Sequence, residues 1–379
     1  MILNRRMLLI AASGLAVRPV FAAFAPSKRA ANPVWRWLTS GKLSRDAPAR
    51  MRGNRDDQVA AMRRLLEFVL TLTITVSSIA VTQCRVTSTY AAADGARIVG
   101  ERWLNTREVD LSVASPALGR TGRVRLLLPA GWSRSAHRSW PVLWLLHGGF
   151  DDYTSWTVKG NAARLTAASG AIVVMPDGGK CGWYSNWWNH GHGGAPKWET
   201  FHLTEVRQLL ERGYHAGTRR AIAGPSMGGF GAMAYAARHP GMFHAAASFS
   251  GADDIRYGLI PPVVLGVNVL AGCGEIDWHR IWGSPGAQRD IWRAHNPSDL
   301  ADRLRGVDLY VSSGSGLRGP YDTARLPDPL EAATYLVAKS FTGRLADRGI
   351  PATVHFYRGT HSWAYWQREL TAALPLLLS

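Results

Sequence analysis

Three residue types in this chain are ordered for nucleophilic chemistry. A serine stands between glycines in G-P-S-M-G (224–228), a histidine stands in R-G-T-H-S-W near the C-terminus, and carboxylates lie between them. A serine hydroxyl is a weak nucleophile until a base takes its proton. An imidazole serving as that base needs an acid to hold its tautomer and to stabilise the imidazolium that forms. Ser226 and His361 supply the first two groups, and Asp322, Asp328 and Glu331 all qualify by position for the third. The serine pattern is weak by itself, because a chain of 379 residues with 39 glycines offers G-x-S-x-G by chance.

Its surroundings give it meaning. The run "RRAIAG" before Ser226 reads as a short strand, and a helix is expected from about 227 to 238, closed by Pro240. A serine on a sharp strand-to-helix turn exposes its Oγ, and glycines at 224, 228 and 229 allow strand and helix to approach closely. The helix N-terminus adds partial positive charge where an oxyanion would form. The expected oxyanion donors are the N–H of Met227, the residue after the serine, and that of Gly149 or Phe150 in "LLHGGFDD". Each such donor is worth roughly 10²–10³ in rate. His147 ends the strand before that loop, so it reads as a structural loop residue rather than the base, and it also stands as a candidate substrate contact. His190 and His192 in "NHGHGG" have no third ligand signalled nearby, and the chain has no C-x-x-C pair. No metal and no other cofactor is expected.

The elements that must hold these residues follow one grammar. "RVRLLLP" (123–129), "PVLWLLHGG" (141–149), "AIVVMPDGG" (171–179), "AAASFSG" (245–251), "VDLYVSSGSG" (307–316) and "ATVHFYRG" (352–359) read as strands. The runs at 141–149 and 171–179 are continuously apolar, as in strands buried on both faces. "WETFHLTEVRQLLERG" (198–213) and "PLEAATYLVAKSFTGRLADRG" (329–349) read as helices. Strands alternating with helices predict an α/β fold with a mostly parallel central sheet and helices on both faces. Functional residues then collect on the rim where strands end.

Charge and composition narrow the class. The net charge is +17, but the first 93 residues carry 14 Lys/Arg against 4 Asp/Glu, while residues 94–379 carry 30 against 23. The folded part is mildly basic without a dense basic run, which speaks against a nucleic-acid partner. Residues 7–17 form an apolar segment after Arg5-Arg6, and a second apolar segment follows Arg63-Arg64 and ends near Ala91-Ala92-Ala93. We expect residues 1–61 to be a disordered or mis-annotated extension, 62–93 a signal peptide or membrane segment, and 94–379 the folded domain. The location is then secreted or associated with the cell envelope, with membrane anchoring if the segment is retained. Of the three cysteines, Cys181 and Cys273 lie in the folded part and either pair or stay free and buried.

The stretches "SPALGR", "DDYTSW", "VVMPDGG", "KWETF", "GPSMGG" and "THSWAYW" together resemble the secreted mycolyltransferase antigens of mycobacteria and the wider esterase D group, which are α/β-hydrolases. The resemblance covers residues 97–379. It implies that the acid is a glutamate early in the helix before the last strand, which selects Glu331 in "PLEAATYLVAKSF". It also places Trp363 on a position lining the acyl-acceptor site, with Ser362 beside it as a further substrate contact. Two stretches depart from the mycolyltransferases: "HGGF" (147–150) lacks the aspartate and arginine of their trehalose-reading loop, and "NHGHGGAP" replaces a cysteine-bounded loop.

The expected activity is therefore a serine-dependent acyl-ester hydrolase or acyltransferase acting through an acyl-enzyme on Ser226. Its partners are a lipid or other acyl ester, with transient membrane or envelope association. Mycolyl transfer to trehalose or another cell-wall sugar is one alternative, and a non-catalytic binding protein on the same fold is another. The tryptophans at 183, 187, 188, 278, 282 and 292 fit either an acyl groove or core packing.

Overall fold

The computed structural model describes residues 90–258, 277–323 and 327–379. The segments 1–61 and most of 62–93 lie outside these residues, as do Cys84 and Cys273. At the start of the described chain Ala92 is buried, and the Ala93 N–H donates to Oε1 of Gln208 at 2.8 Å. The packed chain therefore reaches back at least to Ala92.

A nine-stranded sheet organises the described residues, in the order β1-β2-β3-β5-β4-β6-β7-β8-β9. Strands β1 (Arg97–Trp103), β2 (Glu108–Ser115) and β3 (Arg120–Leu127) form an antiparallel meander, and β3 pairs antiparallel with β5 (Ile172–Pro176). From β5 onward, β4 (Trp140–Leu145), β6 (Ala216–Pro225), β7 (Ala245–Phe249), β8 (Asp308–Gly314) and β9 (Thr353–Tyr357) are all parallel. Sequence reading anticipates the parallel strands but not β1 and β2. Their apolar residues alternate with charged ones, so neither stands out as an apolar run.

Side-chain alternation sorts the strand residues into two cores. Val142, Trp144, Ile222, Ala246 and Val311 face one layer, while Leu143, Leu145, Ala221, Ala247 and Tyr310 face the other. Helices α1 (Arg207–Gly213), α2 (Met227–Arg238) and α3 (Pro329–Asp347) cover the first face through Leu210, Phe230, Phe341 and Leu345. Helix α4 (Trp363–Leu378) covers the second through Trp366, Leu370, Ala373 and Leu377. This is the expected α/β-hydrolase arrangement. The helix read at 198–213 is present but not regular: Trp198–Thr200 leads into a π-helical stretch, Phe201–Val206, and then α1. No helix among the described residues is long and apolar enough to cross a membrane.

Candidate active site

Ser226 sits between the end of β6 and the start of α2, with φ 54° and ψ −122°. That conformation is rare for a residue with a side chain and marks a strained turn. The glycines around it are sterically required. A Cβ on Gly228 would lie 2.7 Å from the carbonyl oxygens of both Leu146 and His147, and one on Gly224 would lie 2.5 Å from the carbonyl carbon of Gly228. The Ser226 N–H donates to the Phe249 carbonyl at 2.8 Å, which ties the turn to the end of β7.

The residue after Phe249 connects that strand to Glu331. Ser250, itself at φ 51°, donates its hydroxyl to Oε1 of Glu331 at 2.8 Å. The same oxygen accepts the Gly314 N–H at 2.5 Å, and Oε2 accepts from Nδ1 of His361 at 2.6 Å and from Thr334 Oγ1 at 3.2 Å. Bonding through Nδ1–H assigns the imidazole tautomer and leaves Nε2 as its basic nitrogen. The indole N–H of Trp366 donates to Ser250 Oγ at 3.1 Å, and its ring meets the His361 ring edge-on at 4.9 Å. Ser250, Glu331, His361 and Trp366 thus form a closed circuit.

The three carboxylates left open by spacing have three different surroundings. Glu331 is fully buried and touches the imidazole. Asp328 caps α3 through Oδ1, to the N–H groups of Leu330 and Glu331, and its Oδ2 accepts the backbone N–H of His361 at 2.8 Å. Asp322 accepts from the Gly319 N–H and the Tyr365 hydroxyl, both at 2.8 Å, and from Thr360. Asp328 and Asp322 therefore hold the loop around His361 from its two sides.

The loop after β4 runs past the serine. A Cβ on Gly148 would stand 3.6 Å from the Ser226 Cβ. The Phe150 N–H donates to the Lys180 carbonyl at 2.8 Å, so it is already committed, and the Phe150 side chain is 45% exposed. Of the two expected donors in this loop, Phe150 is corrected to a turn residue and Gly149 stays available. His147 also needs correction as a substrate contact. It is 1% exposed, its Nε2 accepts the Gly178 N–H at 2.8 Å, and its Nδ1 bonds the Gly148 carbonyl at 2.7 Å. Both nitrogens are spent on shaping the loop.

Met227 opens α2, where the first N–H groups have no partner within the helix. Ser362 precedes α4, and both Ser362 and Trp363 are partly buried. Trp363 packs edge-on against Trp156 at 5.0 Å and Trp366 at 5.2 Å. The Trp156 indole donates to the Leu146 carbonyl at 2.7 Å, so the "DDYTSW" stretch links the β4 loop to α4. In "KWETF", Glu199 pairs with Arg238 and His239 at the far end of α2. The tryptophan question resolves toward packing for Trp183, Trp187, Trp282 and Trp292, which are buried. Trp183, Phe230, Trp282 and Trp292 pack edge-on or tilted in one aromatic cluster with centroid separations of 5.2–5.7 Å. Cys181 is disulfide-bonded. Sequence reading puts "SGADD" on the rim where strands end but does not single out Ser250, since that serine carries no signal until the fold sets it beside Glu331.

Residues 115–377 match the esterase family. The chain belongs to that family. An esterase of Mycobacterium tuberculosis, Rv1288, is 34% identical over 274 residues, which cover 70% of this chain and 58% of that protein. This chain thus spans less than two thirds of that relative's length. The diacylglycerol acyltransferase/mycolyltransferase Ag85B of Mycolicibacterium smegmatis is 32% identical over 278 residues, covering 70% of this chain and 82% of its own. Among solved structures, Mycobacterium tuberculosis MPT51 (FbpC1) is 25% identical with a TM-score of 0.59, covering 71% of this chain and 96% of that one. An S-formylglutathione hydrolase from Agrobacterium tumefaciens, 18% identical with a TM-score of 0.59 over 74% of this chain and 98% of its own, shares the fold.

Proposed function

We propose that the chain is an exported serine acyl-ester hydrolase and acyltransferase, with residues 94–379 as the catalytic domain behind a signal or membrane segment at 62–93 and an extension at 1–61. The observation that carries the chemistry is the 2.6 Å bond from His361 Nδ1 to a buried Glu331, in a fold that puts Ser226 on a strained turn beside Gly148. Ser226 Oγ attacks the ester carbonyl while His361 Nε2 takes its proton. Glu331 holds the tautomer and stabilises the imidazolium. The N–H groups of Met227 and Gly149 receive the developing oxyanion, and the same imidazolium returns the proton to the leaving alcohol. Water or an acceptor hydroxyl then attacks the acyl-enzyme by the reverse sequence. The acyl-accepting side is flanked by Ser362 and Trp363, and the substrates are lipid or other acyl esters.

Export agrees with two features: the disulfide at Cys181, a bond that persists in oxidising compartments, and the charged-then-apolar pattern of the N-terminal segments. Similarity to the diacylglycerol acyltransferase/mycolyltransferase Ag85B supports acyl transfer, with a cell-wall sugar as the acceptor we propose, as the second reading. Hydrolysis of p-nitrophenyl esters of graded chain length, by wild type and Ser226→Ala, tests the chemistry. Wild type is expected to release p-nitrophenol and to be labelled at Ser226 by a fluorophosphonate, and Ser226→Ala to do neither. An unlabelled, inactive wild type overturns the proposal. Adding trehalose or glycerol to the active enzyme separates transfer from hydrolysis.

A further inference from the structure

The rim of the sheet where the parallel strands begin carries a cavity of about 400 Å³. Three stretches line it: Thr218 to Arg220 near the start of β6, Pro240 to His244 in the turn before β7, and residues between Arg303 and Val307 in the turn before β8. The His244 N–H donates to the Arg220 carbonyl and the Asp308 N–H to the His244 carbonyl, both at 2.9 Å, so backbone bonds hold the three together. Arg219 precedes Ser226 along β6, and the rise of an extended chain puts roughly 20 Å between this cavity and the serine.

The charge of the lining has one sign. Arg219, Arg220, Arg303 and Arg305 line the cavity, and no aspartate or glutamate does. The carboxylates bonded to these arginines are shared: Glu211 serves Arg220 at 2.5 Å and Arg207 at 2.8 Å, and Asp302 serves Arg305 at 3.3 Å and also Arg348. Arg219 and Arg303 are exposed, and among the described residues their guanidinium groups make no hydrogen bond or ion pair. Burial, then the charge of Arg219, lowers the His244 pKa against the opposing charge of Asp308, so that ring is neutral at pH 7 and the arginines carry the charge. Gly241 and Gly306, both at φ 82°, leave their part of the lining bare, since a Cβ at either would meet nothing within 4 Å. Clustered guanidinium groups repel one another, and an anion held among them relieves that repulsion.

We infer that this cavity is an anion site for a phosphate group, held by Arg219 and Arg303, with Arg220 and Arg305 adding charge. It lies apart from the chemistry proposed for Ser226 and does not depend on it. The planar guanidinium fork bonds two phosphate oxygens at once, and a multiply charged oxyanion suits several such forks better than a single carboxylate does. The phosphate belongs either to a soluble compound or to an anionic lipid headgroup, and the chemistry that recognises it is common to both.

The test is calorimetric titration of the full chain with pyrophosphate at constant ionic strength, beside citrate as a carboxylate of similar charge. Wild type is expected to bind pyrophosphate more tightly than citrate, and Arg219→Gln/Arg303→Gln to lose about tenfold or more of that affinity. Arg289→Gln/Arg293→Gln removes the same charge from two exposed arginines elsewhere and is expected to bind as wild type does. Melting temperatures show whether the variants are folded; should the Arg219/Arg303 pair fail to fold, Arg219→Gln alone takes its place. Cosedimentation with phosphatidylglycerol vesicles, against phosphatidylcholine, then identifies the source of the phosphate. All variants share the N-terminal segments, so only the difference between variants counts. Vesicle binding that Arg219→Gln/Arg303→Gln weakens assigns the site to a lipid headgroup, and pyrophosphate binding without that dependence assigns it to a soluble phosphate. A wild type that binds neither probe, citrate bound as tightly as pyrophosphate, or equal losses in the two double variants overturns the inference. The last two mark an unspecific attraction of anions to a basic surface.

Discussion

Ser250 and Glu331, 81 positions apart in the chain, are joined by one hydrogen bond of 2.8 Å from a serine hydroxyl to a buried carboxylate. The Ser226 turn hangs from the same strand end through the Phe249 carbonyl. One end of β7 therefore supports Ser226 with its backbone and Glu331 with the next side chain. Ser226, Glu331 and His361, the proposed nucleophile, acid and base, are thereby tied in turn to one strand end, His361 through the Glu331 carboxylate.

Ser250→Ala removes that link while leaving every group of the proposed triad in place. Glu331 keeps its bonds to Gly314, Thr334 and His361, and Trp366 loses its acceptor. A hydrogen bond to a charged group is worth about 1.5–3 kcal/mol, so kcat is expected to fall roughly ten- to hundredfold with KM little changed. Steady-state kinetics on a p-nitrophenyl ester, with the melting temperature as a control for folding, provide the check. An unchanged kcat shows that the remaining bonds position Glu331 on their own.

Glu331→Gln and Asp328→Asn separate the acid from its neighbour. The amide at 331 cannot hold the imidazolium, and the loss in kcat is expected to be about 10³–10⁴. Asp328→Asn weakens the cap of α3 and the grip on the His361 backbone. The cap costs about 1 kcal/mol of stability, so the melting temperature is expected to drop while kcat falls far less than in Glu331→Gln. The opposite ranking, in variants shown to be folded, exchanges the roles assigned to the two carboxylates.

These residues also show what a sequence can carry. The parallel strands announce themselves as apolar runs, and the serine elbow as glycines around a serine, because steric need at Gly224 and Gly228 writes itself into residue type. Spacing left Asp322, Asp328 and Glu331 equivalent, since all three sit in one stretch; resemblance singled out Glu331, and only the fold shows which one meets the imidazole. Ser250 matters through a contact made across the sheet rim, which no local pattern encodes. His147 misled as a substrate contact for a related reason. A histidine beside paired glycines at a strand end looks like site chemistry, yet both its nitrogens hold backbone.

Two glycines of the site predict opposite outcomes. In Gly228→Ala the new Cβ meets two backbone oxygens at 2.7 Å, and neither can move without shifting β4. Overpacking of this kind costs about 1–3 kcal/mol or more, so the variant is expected to melt markedly lower or fail to accumulate. In Gly148→Ala the contacts are 3.6 Å or longer, so the fold is expected to survive with its melting temperature near that of wild type. Its Cβ then occupies the space over the serine, and esterase activity is expected to fall about tenfold or more, as reacting geometry tolerates little misplacement. Thermal melts paired with fluorophosphonate labelling rates decide both.

Asp253 predicts a pH dependence of stability. Burial, followed by the nearby charge of Asp254, pushes its carboxyl up to about 7, against the opposing hydrogen bond from Ser248. Among the described residues its buried Oδ1 has no partner, which suits a protonated acid. In the unfolded chain the same group ionises near 4, so between about pH 4 and 7 the folded state holds a proton that the unfolded state has released. The stability contributed by this group is full below pH 4 and is lost as pH rises through 7, with a slope of at most about 1.4 kcal/mol per pH unit. Asp253→Asn, which cannot ionise, is expected to remove that slope, so that its stability exceeds that of wild type more at pH 7.5 than at pH 4.5. Urea melts of both proteins at the two pH values measure the difference. An equal offset at both would mean that Asp253 is ionised in the folded chain.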